Sequence, residues 1–165
     1  MAGRVKGEQI TPKYKAIFID ASFNGSPTNY VRLGKDLEEY SKSLNPDVET
    51  KKNILGESTV KVKGYSPESS IGEYYAYEQD PLFEELDAIA NDYAVGSRLD
   101  TTIVEVLLNT DGTVCNAFCE NVKVIPQEQK IDTTGYNIPF NIYYNGSRTV
   151  GTWDNDTKTF SVPTP

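Results

Sequence analysis

The sequence predicts a mainly β, antiparallel protein with a single α-helix, and three observations carry that prediction. Its 165 residues include 11 Tyr and 6 Phe but only 1 Met and 1 Trp, a balance that suits pleated, half-buried strands. Strand-like segments recur between turn dipeptides, most cleanly at residues 59–65 and 101–108. Only one stretch, near residues 81–95, has sustained helical spacing. A chain of this length is expected to form about one domain. We divide it into a flexible N-terminal arm, 1–13, and a β domain, 14–165.

Each element has its own local reason. Residues 14–20 read as a strand with a nearly continuous apolar stretch at 16–19, and residues 22–29 carry the turn signals Asn24-Gly25 and Ser26-Pro27. A short strand at 30–33 precedes a polar segment, 35–43. Residues 44–58 are polar and weakly periodic. A loop that long is uncommon in a compact domain and is often functional or ordered by a partner. From 59 to 65, Val60 and Val62 alternate with Lys61 and Lys63, which predicts a strand with one wet face. Residues 71–77 are a second, aromatic strand candidate.

The helix has a start signal and a face. Asp80 is a good N-cap and Pro81 suits the first helical position. Glu84, Glu85 and Asp87 place negative charge where the helix dipole favours it. Leu82, Leu86, Ile89, Ala90 and Tyr93 form one apolar stripe, and Gly96 is the expected stop. Beyond it, 101–108 runs into the hairpin signal Asp111-Gly112, followed by strands at 113–118 and 121–125. Strands at 138–144, 148–153 and 158–162, separated by Asn145-Gly146 and the turn 154–157, predict a three-stranded C-terminal meander.

The composition excludes several chemistries. With 24 acids, 16 bases and a net charge of −8, the chain has no general basic footprint for nucleic acid. It has no histidine, hence no Ser-His-Asp or Cys-His catalysis, no His-ligated metal and no imidazole switch. Cys115 and Cys119, four residues apart on a strand, would lie about 13 Å apart. That exceeds disulfide reach of about 7 Å, so buried free thiols are expected. Asp154-Asn155-Asp156 opens like a calcium loop but lacks the later Gly and Glu ligand positions, and reads as a hairpin turn. No phosphate loop, dinucleotide fingerprint or nucleophile elbow is present. We therefore expect a protein that is not an enzyme, with no catalytic residue, no cofactor and no metal site. No apolar run reaches membrane-span length and no signal peptide opens the chain, so the plain expectation is a soluble protein of a reducing compartment.

Charge is segregated along the chain. Residues 1–65 hold eleven bases and eight acids, residues 66–100 one base and nine acids, and residues 101–165 four bases and seven acids. A basic first half facing the acidic middle of a neighbouring copy would give the head-to-tail contacts that build rings and filaments.

The order of segments carries a resemblance. An N-terminal strand and turn lead to Leu44-Asn45-Pro46-Asp47-Val48-Glu49-Thr50 and then Val62-Lys63-Gly64-Tyr65-Ser66-Pro67. Gln79-Asp80-Pro81-Leu82-Phe83 opens the helix, and Val150-Gly151-Thr152-Trp153 and Lys158-Thr159-Phe160 close the chain. Over most of residues 14–162 this resembles the tail tube (major tail) proteins of long-tailed phages and prophages of Gram-positive bacteria. The resemblance implies an antiparallel β-sandwich or barrel of tail-tube type with one flanking helix. It implies self-association into six-membered rings stacked as a tube, other phage tail proteins as partners, and genome DNA passing through the lumen without specific binding. The implied location is the virion, after assembly in the host cytoplasm. By position, the loop at 44–58 and the arm at 1–13 would bridge rings, with Asn45, Pro46, Lys51, Lys52, Asn53, Ile54 and Leu55 as contact residues. The family's C-terminal immunoglobulin-like decoration has no counterpart before Pro165. Two other readings stand beside this one. The first is a monomeric β-sandwich binding module, for carbohydrate or protein, using exposed Tyr74, Tyr75, Tyr77, Tyr143 or Tyr144. The second is a phage connector or baseplate component of related fold.

Overall fold

The structure, a computed structural model, describes residues 6–35 and 37–164. Twelve strands occur among them: β1 (Lys15–Asp20), β2 (Tyr30–Leu33), β3 (Lys42–Ser43), β4 (Pro46–Lys52), β5 (Ser58–Tyr65), β6 (Glu68–Ile71), β7 (Asp100–Leu108), β8 (Val114–Pro126), β9 (Lys130–Ile131), β10 (Tyr136–Asn137), β11 (Phe140–Asp154) and β12 (Thr159–Ser161). The helix α1 spans Pro81–Asn91, and short 3₁₀ turns occupy Pro12–Tyr14 and Gly96–Leu99. The main sheet has the order β2-β1-β7-β8-β11-β6-β3, with β12 added to the far end of β11. Its pairings are all antiparallel. β9–β10 and β4–β5 form separate two-stranded ribbons.

The sheet buries apolar side chains on both faces, which explains the unbroken apolar run in β1. Ile17 and Ile19 join the larger core with Leu82, Leu86, Ile103, Val122, Phe140 and Ile142, under α1. Ala16 and Phe18 point the other way, into a smaller core with Val104, Val106, Ala117 and Trp153. Trp153 lies 4.6 Å from the Phe18 ring and meets Tyr30 edge-on at 5.3 Å. A strand covered on both sides loses the alternation that a half-exposed strand shows.

The helix starts as its sequence dictates. Asp80 accepts the Leu82 N–H at 3.1 Å, with Pro81 following. The acceptor pattern at its end differs from the expectation. Tyr93 rather than Gly96 is the first residue in the left-handed region, at φ 49°, and the helix stops at Asn91. Tyr93 is 89% exposed and lies off the apolar stripe, whose buried members are Leu82, Phe83, Leu86 and Ile89. Phe83 joins them because Tyr74 stacks on it and Tyr136 meets its edge.

Four other expectations change. Residues 113–118 and 121–125 form one strand, β8, because β7 and β11 pair along both halves of it. Asn145-Gly146 makes no hairpin. Tyr144 and Arg148 both pair with β8, so the dipeptide lies in a bulge within β11, and the C-terminal meander reduces to the β11–β12 hairpin. The candidate at 71–77 contributes only the bridge between Tyr75 and Asn137, with the strand shifted to Glu68–Ile71. Cys115 is exposed and Cys119 half-buried, both free, so the thiol pair is not a buried one. Two turns form as expected. Asp111 Oδ1 accepts the Thr113 N–H at 3.0 Å beside Gly112, at φ 86°. Asp154 Oδ1 accepts the N–H groups of Asp156 and Thr157, and backbone hydrogen bonds hold its carboxyl below the usual range.

Candidate assembly surface

The segment expected to be a loop at 44–58 is the first half of a hairpin. β4 and β5 pair from Pro46↔Tyr65 to Lys52↔Ser58, with a bulge after Asp47. Asn53 makes the turn: its Oδ1 accepts the Leu55 and Glu57 N–H groups at 2.9 and 3.0 Å, and its Nδ2 donates to Glu57 Oε2 at 2.7 Å. Gly56, at φ 82°, supplies the left-handed position. Sequence periodicity missed β4 because its charged positions, Asp47, Glu49, Lys51 and Lys52, dilute the alternation of Val48 and Thr50. The partner across the turn was already visible at 59–65.

Among the described residues this ribbon forms its own two-stranded sheet, joined to no other strand. Val48, Val60 and Val62 share one face, and all three are exposed. On the other face Glu49 pairs with Lys63 at 3.2 Å and Lys51 at 3.6 Å. The strand with one wet face is therefore wet on both within a single chain. An isolated two-stranded ribbon is marginally stable in water, and a contiguous exposed apolar face marks an interaction surface.

The predicted contact residues fall into two groups. Lys51, Lys52, Asn53, Ile54 and Leu55 form the tip, where Ile54 and Leu55 are exposed beyond the last strand pair. Asn45 and Pro46 sit at the base: Asn45, at φ 45°, donates from Nδ2 to the Ser66 carbonyl at 3.1 Å, and Pro46 begins β4. The structure thus separates a base that ties the ribbon down from a tip whose turn is held by Asn53 and whose Ile54 and Leu55 are exposed. Of the arm at 1–13, residues 1–5 lie outside the described residues. Residues 6–13 are exposed, and 9–13 border an open groove of about 810 Å³ with Arg32, Leu33, Tyr40 and Lys42.

An ionic cluster that the sequence reading missed contributes Lys15, Lys42 and Glu105 to the lining of that groove. Glu105 and Glu120, both buried, face Lys42 and Arg148. Lys42 lies 2.5 Å from Glu105 and 3.7 Å from Glu120, while Arg148 reaches them at 2.9 and 3.4 Å. Lys15 adds a longer contact to Glu105 at 3.6 Å. Burial alone would raise the Glu105 carboxyl, but the hydrogen bond from Lys42 and the charges of Lys42, Arg148 and Lys15 outweigh it and hold it below its ordinary value. Tyr40 and Tyr144 share a 2.5 Å hydrogen bond above the cluster, and burial pushes both phenols up. A signal was present in the sequence: Glu105 interrupts the apolar run of β7 on the same parity as Ile103 and must be paired if buried.

The tyrosines proposed for a binding face do not form one. Tyr74 and Tyr144 are buried, and Tyr74 donates its hydroxyl to Asp80 Oδ2 at 2.8 Å. Tyr75 and Tyr77 border a shallow pocket of about 380 Å³ with Tyr136, while Tyr143 belongs to β11. The helix acids are engaged structurally: Glu85 with Arg98 at 2.7 Å, and Asp87 with the Tyr136 hydroxyl at 2.6 Å. Among the described residues no group of three or more Cys, Asp or Glu side chains could hold a metal ion, and no helix is long and apolar enough to cross a membrane.

No protein-family model and no curated protein sequence matches the chain. Solved structures do match its fold. The sheath/tube terminator of the PVC extracellular contractile injection system superposes with a TM-score of 0.56 at 10% identity, over 90% of this chain and 100% of that one. The tube-terminating cap of the anti-feeding prophage gives 0.52 at 13% identity, over 92% and 97%. A chain of its baseplate gives 0.51 at 11%, over 88% and 97%. Each match covers about nine-tenths of this chain and nearly all of the other, and the chain therefore has the fold of these injection-system tail components.

Proposed function

We propose that this protein is a structural component of a phage tail or phage-tail-like particle, whose copies associate into rings that stack as a tube. One observation carries the reading: over 90% and 92% of the chain the fold is matched by a tube terminator and a tube-terminating cap. The exposed β4–β5 ribbon supports it, since an amphipathic hairpin left uncovered among the described residues is the expected signature of a contact completed by a neighbour. In this reading the ribbon and the N-terminal arm bridge successive rings, other tail proteins bind the ends of the stack, and the particle is the virion or its phage-derived equivalent, assembled in the bacterial cytoplasm. Six copies per ring and passage of genome DNA through the lumen belong to the same proposal. The protein works by geometry and has no reaction to catalyse.

A second reading, a terminating ring at the end of a tube, is favoured by the two superpositions just cited. Negative-stain microscopy of the purified protein separates them. Stacked tubes support the tube component, single or paired rings the terminator, and monomers at all concentrations overturn both.

A further inference from the structure

The hairpin tip and the C-terminal end of α1 are chemically complementary. Helices are stabilised by cations in their last turn, which meet the negative end of the dipole. The last turn of α1 has no basic residue, and its C-cap is Asp92. Beside it lies an open groove of about 210 Å³ whose lining includes Ile89, Leu99, Ile125 and Pro126 together with Tyr93, Gln127, Glu128 and Gln129. Apolar side chains thus lie beside two acids, Glu128 in the lining and Asp92 at the helix cap, while the nearby Lys123 is engaged with the Gly96 carbonyl and Asp100. The hairpin offers the converse: Ile54 and Leu55 are exposed at the apex, separated from Lys51 and Lys52 by Asn53.

We propose that the tip of one copy docks on the α1 groove of a second copy, with Leu55 in the depression and Lys51 and Lys52 against Asp92, Glu128 and the helix C-terminus. This rests on the assembly reading above and names the receptor for its bridging hairpin. The two patches are different surfaces, so the contact is head-to-tail, and repeated head-to-tail contacts close into rings or propagate as stacks. It agrees in part with the charge segregation, because the lysines of the tip belong to the basic residues 1–65 and Asp92 to the acidic residues 66–100.

The test uses the full chain carrying Cys115→Ser to remove the exposed thiol. Leu55→Cys and Tyr93→Cys are made in separate proteins, mixed, allowed to assemble and oxidised. A disulfide-linked dimer in the mixture, absent from either protein alone, supports the contact. In parallel, the Lys51→Glu/Lys52→Glu variant should need about tenfold more protein to assemble, the equivalent of roughly 1.4 kcal/mol. Asp92→Lys/Glu128→Lys, mixed with that variant, should restore assembly. Particles that form without cross-linking and without charge-reversal rescue overturn this contact while leaving the assembly reading intact. A parent protein that forms no particles overturns the assembly reading itself.

Discussion

Lys42 Nζ lies 2.5 Å from Glu105 Oε1, joining β3, at one edge of the sheet, to β7, third from the other edge. In a flat sheet the four intervening steps of roughly 4.8 Å would hold those strands about 19 Å apart. The pair therefore exists because the sheet curls into an open barrel, and it closes the mouth that the hydrogen-bonded ladder leaves unpaired.

Removing one member of this cluster should cost more than removing the whole interaction. Lys42→Met leaves Glu105 and Glu120 buried with only Arg148 close to both, and we expect a loss of about 3–5 kcal/mol by chemical denaturation. The double change Lys42→Met/Glu105→Leu should recover much of it. A single variant as stable as the parent would show that the cluster is solvated in solution.

The same cluster sets an acid limit. The folded-state pKa of Glu105 is lowered from 4.5, so its stabilisation is full above that value and is lost as pH falls through the folded value. Melting temperature should be flat from pH 7 to about 5 and fall below about 4.5. In Lys42→Met the fall should begin at higher pH. An acid profile unchanged by that substitution would contradict the assignment.

On α1, two substitutions separate the packed stripe from the exposed end. Leu86 is completely buried, so Leu86→Asp should cost several kcal/mol and unfold the domain. Tyr93→Asp, at an exposed position, should stay within about 0.5 kcal/mol, measured by thermal melting. Equal effects would mean the helix is rotated from the orientation described.

Gly151 on β11 packs where the Phe160 ring and the Ser161 carbonyl of β12 leave no room for a methyl group. Gly151→Ala should destabilise by about 1–3 kcal/mol through overpacking and lower the Trp153 near-ultraviolet circular dichroism. A neutral result would place β12 farther from β11.

Deleting residues 51–56 should leave a domain that melts cooperatively at nearly the parental temperature, because the ribbon contributes none of the buried core, yet it should abolish assembly. Loss of cooperative melting would make the ribbon part of the folding unit. Assembled material should also bind duplex DNA at low salt no tighter than the roughly 10⁻⁴ to 10⁻⁶ M of non-specific binders. Tighter binding would replace the conduit with a protein that grips DNA.

Local chemistry in the sequence determined where several elements begin and turn. Asp80-Pro81 starts the helix, Asp111-Gly112 and Asp154–Thr157 make hairpins, and the apolar run of β1 and the alternation at 59–65 are strands, because caps, turns and side-chain period act over a few residues. Tertiary pairing decided the rest. Asn145-Gly146 became a bulge because β8 continues past it, and 46–52 became a strand because 58–65 lies beside it in register. Glu105, Glu120, Lys42 and Arg148 met only once the sheet had curled. Those outcomes depend on partners from 6 residues away, at Lys52 and Ser58, to 78 residues away, at Lys42 and Glu120, and no local propensity records the free energy of pairing with a separate segment.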